Sequence, residues 1–402
     1  MDVKDKKIKL LLIGCTGFLG GRLIEKLHST NNYDLNVTSN SFSGNGLARA
    51  AKFSVKLISA NILDTDSLDK AMKNIDVVIN GSYIKGSSES IKKSILGTEN
   101  LLEVAIKHDV KQFIQISSAS VFEPDDTLIK DEKNSFIKKP DDYVKTKLKT
   151  EECVKQHVLS KSNTNMKYTI IRPTRIYGPY SAYWTERLIE GIAQRKKLLI
   201  NDFKDNPSNF VYVDDVCDAI SICILNEKAY NNDFNINGEK SLTWEVLLSG
   251  LQSVVNKNLE LQSCDYEEIK LIEKDRVRKI LPNALNSIKK ALLSNESMNI
   301  FRNDLLLSSL YRSLYGRFRK SEKGLSYTPK KQGIRIEDYS FLDKFFVKDM
   351  KAPTYISSEK INNILGFKNN HNFDEAIIEI ESWNKFFSRK NYMLKELYKT
   401  LK

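Results

Sequence analysis

Ile8-Lys9-Leu10-Leu11-Leu12-Ile13-Gly14-Cys15-Thr16-Gly17-Phe18-Leu19-Gly20 sets a short apolar run directly against three glycines spaced three apart. An apolar run of strand length, punctuated at once by glycine, reads as a buried parallel strand turning sharply into a helix. The spacing differs from the GxGxxG of the common dinucleotide-binding turn, yet the physical requirements are shared. One glycine permits the tight turn, a second lets backbone N–H groups approach a pyrophosphate, and the third lets helix and strand pack closely. The positive end of the helix then faces the phosphates. An ordinary strand–helix turn competes with this reading, and three glycines alone do not separate the two.

Outward from this turn the sequence alternates strand-length and helix-length patterns. Phe18, Leu19, Leu23, Ile24 and Leu27 fall at helical spacing. Short strands are expected at 35–38, 55–58, 76–79, 112–116 and 168–171, with helices near 67–73 and 88–108 between them. That alternation predicts an α/β fold built on a parallel, doubly wound sheet. The strand ending at Arg172-Pro173 is expected to stop there, because proline cannot extend a central ladder. From about 181 the rhythm loosens, with helices at 184–194, 214–225 and 244–255 and short strands at 210–212 and 234–236. A short strand at 354–356, a helix at 358–365 ending at Gly366 and an amphipathic helix at 374–383 are expected to follow.

The 402 residues leave room for one large domain or two ordinary ones. A hydrophobic fraction of 41% beside 28% charged residues fits a soluble globular chain and excludes a disordered or fibrous one. No apolar run is long enough to span a bilayer. Residues 1–7 lead into the first strand without a secretory pattern, which sets a cytoplasmic expectation. Cys15, Cys153, Cys217, Cys223 and Cys264 lack CxxC spacing, so neither a zinc site nor a disulfide framework is expected. His28, His108, His157 and His371 are isolated in sequence, and no metal is expected. The net charge of +12 would suit nucleic acid, an anionic membrane or phosphorylated substrates. No nucleic-acid module accompanies it, so no nucleic-acid partner is expected. A compositional bias toward Lys and Asn accounts for the charge equally well.

Ser117-Ser118-Ala119-Ser120 follows the 112–116 strand, at the carboxyl edge where doubly wound sheets bind ligands. Tyr143 and Lys147 lie four apart and would project from one helix face. An ammonium beside a phenol favours the phenolate and suits the phenol to proton transfer, while a nearby serine hydroxyl could hold the substrate oxygen. A YxxxK pair alone is better explained by a solvated helix face.

In combination and in this order, the glycine turn, the strand-end serine and the YxxxK pair resemble the extended short-chain dehydrogenase/reductase family, in its nucleotide-sugar epimerase/dehydratase branch. Ser118 and Tyr143 are 25 residues apart, as in that branch. Ser94-Ile95-Leu96-Gly97-Thr98-Glu99-Asn100-Leu101-Leu102 resembles the family's GT-containing helix. Ile171-Arg172-Pro173-Thr174-Arg175-Ile176-Tyr177-Gly178-Pro179 resembles its RP…YGP segment, and Phe210-Val211-Tyr212-Val213-Asp214-Asp215-Val216 its FVHVDDV segment. Phe234 to Gly238 and Ile364 to Phe367 resemble weaker, later landmarks.

The resemblance implies a Rossmann-type domain over 1–180, with segments near 210–240 returning to it. A smaller C-terminal α/β substrate region would occupy 181–402 and carry a basic helical insertion at about 266–350. It implies Tyr143 as acid/base, Lys147 as its activator and ribose ligand, and Ser118 as the orienting hydroxyl. Gly14, Gly17 and Gly20 would line the pyrophosphate, and Thr16, Phe18 and Leu19 would bind the cofactor beside them. Asn61 and Ile62 would meet the adenine, Gly81 and Ser82 would lie along the cofactor, and Pro173 would lie near the nicotinamide. Tyr83, Ser118, Arg175 and Tyr177 would meet substrate. The implied activity is NAD(P)-dependent epimerisation or oxidoreduction of a nucleotide-activated or lipid-linked sugar, as in polysaccharide biosynthesis. A reductase of a steroid- or flavonol-like alcohol and a non-catalytic NAD(P) sensor are the alternatives.

Departures from the family pattern sharpen the expectation. The second strand ends in Thr38-Ser39-Asn40-Ser41 with no carboxylate to grip an NAD ribose, while Ser39, Asn40, Ser41 and Arg49 could accept a 2′-phosphate. NADP is therefore favoured over NAD at this point. The usual adenine-site aspartate is Asn61, and the usual asparagine of the GT helix is Ser94. After the serine comes Ala119-Ser120-Val121-Phe122, without the Thr-Asp-Glu of sugar 4,6-dehydratases, which argues against water elimination.

Between 289 and 331 lie Lys289, Lys290, Arg302, Arg312, Arg317, Arg319, Lys320, Lys323, Lys330 and Lys331, opposed only by Glu296, Asp304 and Glu322. Leu307, Leu310, Tyr311, Leu314, Tyr315 and Phe318 form an apolar stripe among them. Such a helix suits either peripheral contact with an anionic membrane surface or packing on its own domain or a homodimer partner.

Overall fold

The computed structural model describes residues 7–40, 49–86, 88–123, 127–160, 164–193, 197–200, 203–255, 260–263, 339–340 and 350–400. The Ile8–Ile13 run forms strand β1, with Leu10, Leu11 and Leu12 fully buried. Six more strands join it: β2 (Tyr33–Ser39), β3 (Lys56–Ser59), β4 (Val77–Asn80), β5 (Gln112–Ile116), β6 (Lys167–Pro173) and β7 (Asn232–Ile236). All pair in parallel, in the order β7-β6-β5-β4-β1-β2-β3. The order reverses between β1 and β4, where doubly wound sheets open a ligand crevice beyond their carboxyl ends. Ile13 and Asn80 are partners there, and the Gly81 N–H donates to the Ile13 carbonyl at 2.8 Å.

Four helices bear on the site: α1 (Phe18–Ser29), α2 (Thr65–Ala71), α3 (Ser88–Lys107) and α4 (Asp142–Ser160). Helix α1 buries Leu23, Ile24 and Leu27 at helical spacing. Asp64 caps α2 by accepting the N–H groups of Asp66 and Ser67. Leu101, Leu102 and Ala105 of α3 and Val154 and Val158 of α4 pack in one apolar cluster with Leu11, Val78, Phe113 and Ile170 of the sheet.

The strand expected to stop at Arg172-Pro173 does so, and departures from the sequence expectations come after it. Pro173 ends β6 but remains in register with Ile236 of β7, while the ladder to β5 has already finished at Ile116 opposite Ile171. The proline's missing donor therefore falls where the β5 ladder has ended. Phe210–Tyr212 does not return to the large sheet; it pairs with Arg175–Tyr177 in a separate two-stranded ladder, and β7 alone joins the large sheet. The expected 184–194 helix is split into a π-turn, Ala182–Glu186, and a short helix, Arg187–Ala193.

The described residues fall into two compact units, the larger within 1–194, 203–259 and 342–402, the smaller within 195–202 and 260–341. In the smaller unit Glu260–Ser263, Lys197–Ile200 and Tyr339–Ser340 form a three-stranded parallel sheet with Lys197–Ile200 at its centre. The basic and apolar positions of 289–331 lie outside the described residues. In the larger unit Tyr355–Ile356 pairs with Ile129–Lys130, and the Glu359–Leu365 helix ends at Gly366 in the left-handed region, φ +68°. The last helix is longer than its sequence pattern, running Phe373–Thr400. No described helix is long and apolar enough to cross a membrane.

Candidate active site

The glycine turn has the geometry of a backbone cradle. Gly14 lies at φ +69°, and a Cβ there would meet the Ser82 backbone at 2.5 Å. At Gly20 a Cβ would fall 2.2 Å from Cys15 Cα, so only glycine lets α1 leave the strand this closely. Gly17 precedes α1 with no side chain capping the helix, and a Cβ there would enter open space. The first N–H groups of α1 thus face an uncrowded surface, as phosphate oxygens require. Gly14 and Gly17 are exposed, and Thr16, Phe18 and Leu19 half-buried around them. These residues fit a dinucleotide pyrophosphate.

Across the switch point, Asn80 accepts both the N–H of Ser82, at 3.1 Å, and its hydroxyl, at 2.7 Å, shaping the Gly81-Ser82 segment. Ile62 packs over Gly97 of α3, and its carbonyl accepts the Asn100 amide at 3.0 Å. Asn61 spends its side-chain oxygen on the Leu63 N–H at 3.0 Å. The Ser39 carbonyl accepts from Ala60 N–H at 3.2 Å, and Asn40 is exposed just beyond β2. Arg49 is engaged within the chain. Glu25 holds its guanidinium at 2.7 and 2.8 Å, and the same group lies 4.5 Å over the Tyr180 ring. The cation that could accept a 2′-phosphate is paired here with a carboxylate.

Ser118, Tyr143 and Lys147 are brought together at the carboxyl end of β5. Ser118 sits in extended backbone after the strand and caps the short 3₁₀ turn Ala119–Val121. Its hydroxyl lies near the Tyr143 phenol, close enough to favour the ionised form, and 2.9 Å from the Ser120 hydroxyl. The Lys147 ammonium donates to the Ile116 carbonyl at 3.0 Å and lies 5.9 Å from the ring centres of both Tyr143 and Tyr83. Tyr83 meets Tyr143 edge-on at 5.3 Å and is 37% exposed. Burial lowers the Lys147 pKa to about 8, opposed by the Glu151 carboxylate. Burial around its hydroxyl raises Tyr143, and the nearby Ser118 hydroxyl acts against that rise. A phenol, an ammonium and a hydroxyl so placed can pass a proton to or from a substrate oxygen.

The other two substrate candidates are placed differently. Tyr177 is 2% exposed, its ring among Phe210, Tyr212 and Phe373, and burial drives its pKa upward. It is a core residue here. Arg175 is half-buried; its guanidinium donates to the Ser208 carbonyl at 2.8 Å and stacks 5.5 Å from both Trp184 and Trp244. Sequence spacing leaves His371 isolated, but folding sets its Nδ1 2.8 Å from Asp215, and with Asp218 the three residues have the composition of a metal site. Asp215 also accepts the Asn370 N–H at 2.9 Å, and Asp218 pairs with Lys26 at 2.6 Å, so the group is bonded within the chain.

Sequence reasoning passed over Glu151 and Asp233, and treated Ser117 and Arg172 only as parts of longer stretches. The one available signal was spacing: Glu151 lies four beyond Lys147 and eight beyond Tyr143, on the same helix face.

A glycine cradle at the switch point and a Ser–Tyr–Lys set on the same sheet edge define an NAD-dependent enzyme of the extended short-chain dehydrogenase/reductase type. Residues 10–237 match the model of the NAD dependent epimerase/dehydratase family, and the chain belongs to that family. Among curated proteins it is similar to a dTDP-D-glucose 4,6-dehydratase of Dictyostelium discoideum, 27% identical over 57% of this chain and 58% of that protein. The chain therefore matches little more than half the length of that relative. It is also similar to an N-acetyl-alpha-D-glucosaminyl-diphospho-ditrans,octacis-undecaprenol 4-epimerase of Escherichia coli O157:H7, 25% identical over 64% of this chain and 75% of that protein. Among solved structures, UDP-glucuronic acid 4-epimerase from Bacillus cereus in complex with NAD superposes with a TM-score of 0.63 at 18% identity. That superposition covers 94% of this chain and 99% of that one. At this identity it speaks for the fold.

Proposed function

We propose that this protein is an NAD-dependent epimerase of a diphosphate-linked sugar, acting through oxidation and re-reduction at a sugar hydroxyl. The observation that carries the reading is the Tyr143–Lys147–Ser118 set at the strand edge. Gly14, Gly17 and Gly20 would hold the cofactor pyrophosphate, and Pro173 would border the nicotinamide. When bound, NAD supplies the oxidising power that the side chains lack. Ser118 orients the sugar hydroxyl, Tyr143 takes its proton through a phenolate favoured by the Lys147 charge, and the same phenol returns the proton afterwards.

Epimerisation is preferred to elimination because the turn after Ser118 offers no carboxylate. Ala119, Val121 and Phe122 are buried in an apolar cluster with Val144 and Ile356, leaving the hydroxyls of Ser118 and Ser120. The engagement of Arg49 with Glu25 favours NAD over NADP. A nucleoside diphosphate sugar and a polyprenyl diphosphate sugar share the chemistry this site requires, and both belong in the substrate panel. The reading is tested by incubating the NAD-loaded protein with UDP-glucose, UDP-N-acetylglucosamine and a polyprenyl-diphospho-N-acetylglucosamine, following epimers by NMR. Tyr143→Phe is expected to lower kcat by at least about 10²-fold; unchanged turnover would sink the mechanism.

A further inference from the structure

Glu151 is the next residue after Tyr143 and Lys147 on the same face of α4, and it is 3% exposed. It accepts the hydroxyl of Ser117, the residue before Ser118. Its two oxygens also receive Nε and Nη2 of Arg172 at 3.0 and 2.7 Å. Arg172 is wholly buried one residue before Pro173, and its Nη1 lies 2.6 Å from Asp233 on β7. The rings of Phe136 and Phe122 lie 5.1 and 5.7 Å from the guanidinium. Successive turns of α4 therefore grip successive residues at the end of β5: Lys147 holds the Ile116 carbonyl and Glu151 holds Ser117, with Tyr143 beside Ser118 one turn earlier.

Stability is a weak reason for such a pair, because apolar groups of the same volume hold a fold as well as a buried ion pair. We propose that Glu151, braced by Arg172, is a positioning residue of the site: it fixes the strand-end turn that carries Ser118 and sets a buried carboxylate one helical turn beyond Lys147. The assignment rests on the catalytic reading of Tyr143 and Lys147. Lys147 is faced by Tyr143 and Glu151 from its own helix, by Tyr83 from the segment after β4 and by the Ile116 carbonyl of β5. Glu151 is faced by Ser117 just after β5 and by Arg172 from β6, and Arg172 in turn by Asp233, which Lys155 and Lys360 approach at 3.6 and 3.5 Å. Glu151 is thus the carboxylate that acts on Lys147, and it favours the charged form of the amine.

The test is Glu151→Gln, with the titration of Lys147 read by NMR of ¹³Cε-lysine protein and its resonance assigned by loss in Lys147→Gln. The expected result is a Lys147 midpoint lower than in the parent by at least about half a pH unit, roughly a threefold change in the charged-to-neutral ratio. A role confined to structure would lower the melting temperature and leave that midpoint in place. If Glu151→Gln does not fold, Glu151→Gln with Arg172→Met removes both charges and leaves no unpaired ion. The same downward movement, smaller, is then expected. A midpoint within about 0.2 units of the parent in a folded variant overturns the proposal. This readout needs no substrate, so it stands or falls apart from the Tyr143→Phe turnover test.

Discussion

Lys147→Met should make the protein more stable while abolishing turnover. The lysine is 6% exposed, and burial brings its pKa from 10.5 to about 8. At about 1.4 kcal/mol per pH unit, holding the buried amine charged costs about 3 kcal/mol at pH 7. Methionine fills a similar volume without the charge. It gives up the donor to the Ile116 carbonyl, a loss of about 1 kcal/mol, but that carbonyl keeps the Gln115 amide at 3.1 Å. The net expectation is about 2 kcal/mol of added stability at pH 7. Its pH dependence has a definite sign. Below the folded value of about 8 the amine is charged in both folded and unfolded chains, and the full penalty applies. Between about 8 and 10.5 the unfolded chain binds the proton that the folded one has released, so the parent gains stability and the advantage of methionine shrinks. Urea unfolding of both proteins at pH 7 and pH 10 measures this. A variant less stable than its parent at pH 7, or an advantage that persists undiminished at pH 10, refutes the reasoning.

Gly20→Ala is expected to destabilise the protein by about 1–3 kcal/mol, measured as a lower melting temperature, because the new Cβ meets Cys15 backbone rather than a movable side chain. Gly17→Ala should fold normally, since its Cβ enters open space, yet weaken NAD binding by about tenfold or more in calorimetry. Arg49→Ala should leave the ratio of NAD to NADP affinities unchanged, because its guanidinium is held by Glu25; a selective loss of NADP binding would restore the 2′-phosphate role. Flotation with anionic liposomes at low and high salt tests the membrane contact expected of 289–331, and absence of binding at low salt removes it.

The order of strands and helices was legible in the sequence because each parallel strand is a short apolar run and each helix carries its own periodicity. The candidate site residues stood out through local spacings that, taken together and in order, carry the family resemblance. Gly14, Gly17 and Gly20 belong to one turn, Tyr143 and Lys147 to one helix face, and Ser118 to the end of a strand. What stayed hidden depends on partners far away in the chain. Arg49 offered a free cation until Glu25 claimed it, and Tyr177 matched a ligand-facing pattern until Phe210, Tyr212 and Phe373 closed around it. Phe210–Tyr212 read as a strand, but its partner proved to be Arg175–Tyr177.

By itself, then, the sequence determined the alternating strands and helices of a parallel sheet, the glycine turn, and the order and spacing of serine, tyrosine and lysine, because each is written in periodicity or position along the chain. Only the tertiary structure decided how those groups are charged and held. Burial lowers Lys147, Glu151 stands behind it, and Arg172, 21 residues from Glu151 in the chain, closes the bridge to Asp233. Desolvation and charge pairing act through space between segments the chain keeps apart, and no local pattern records them.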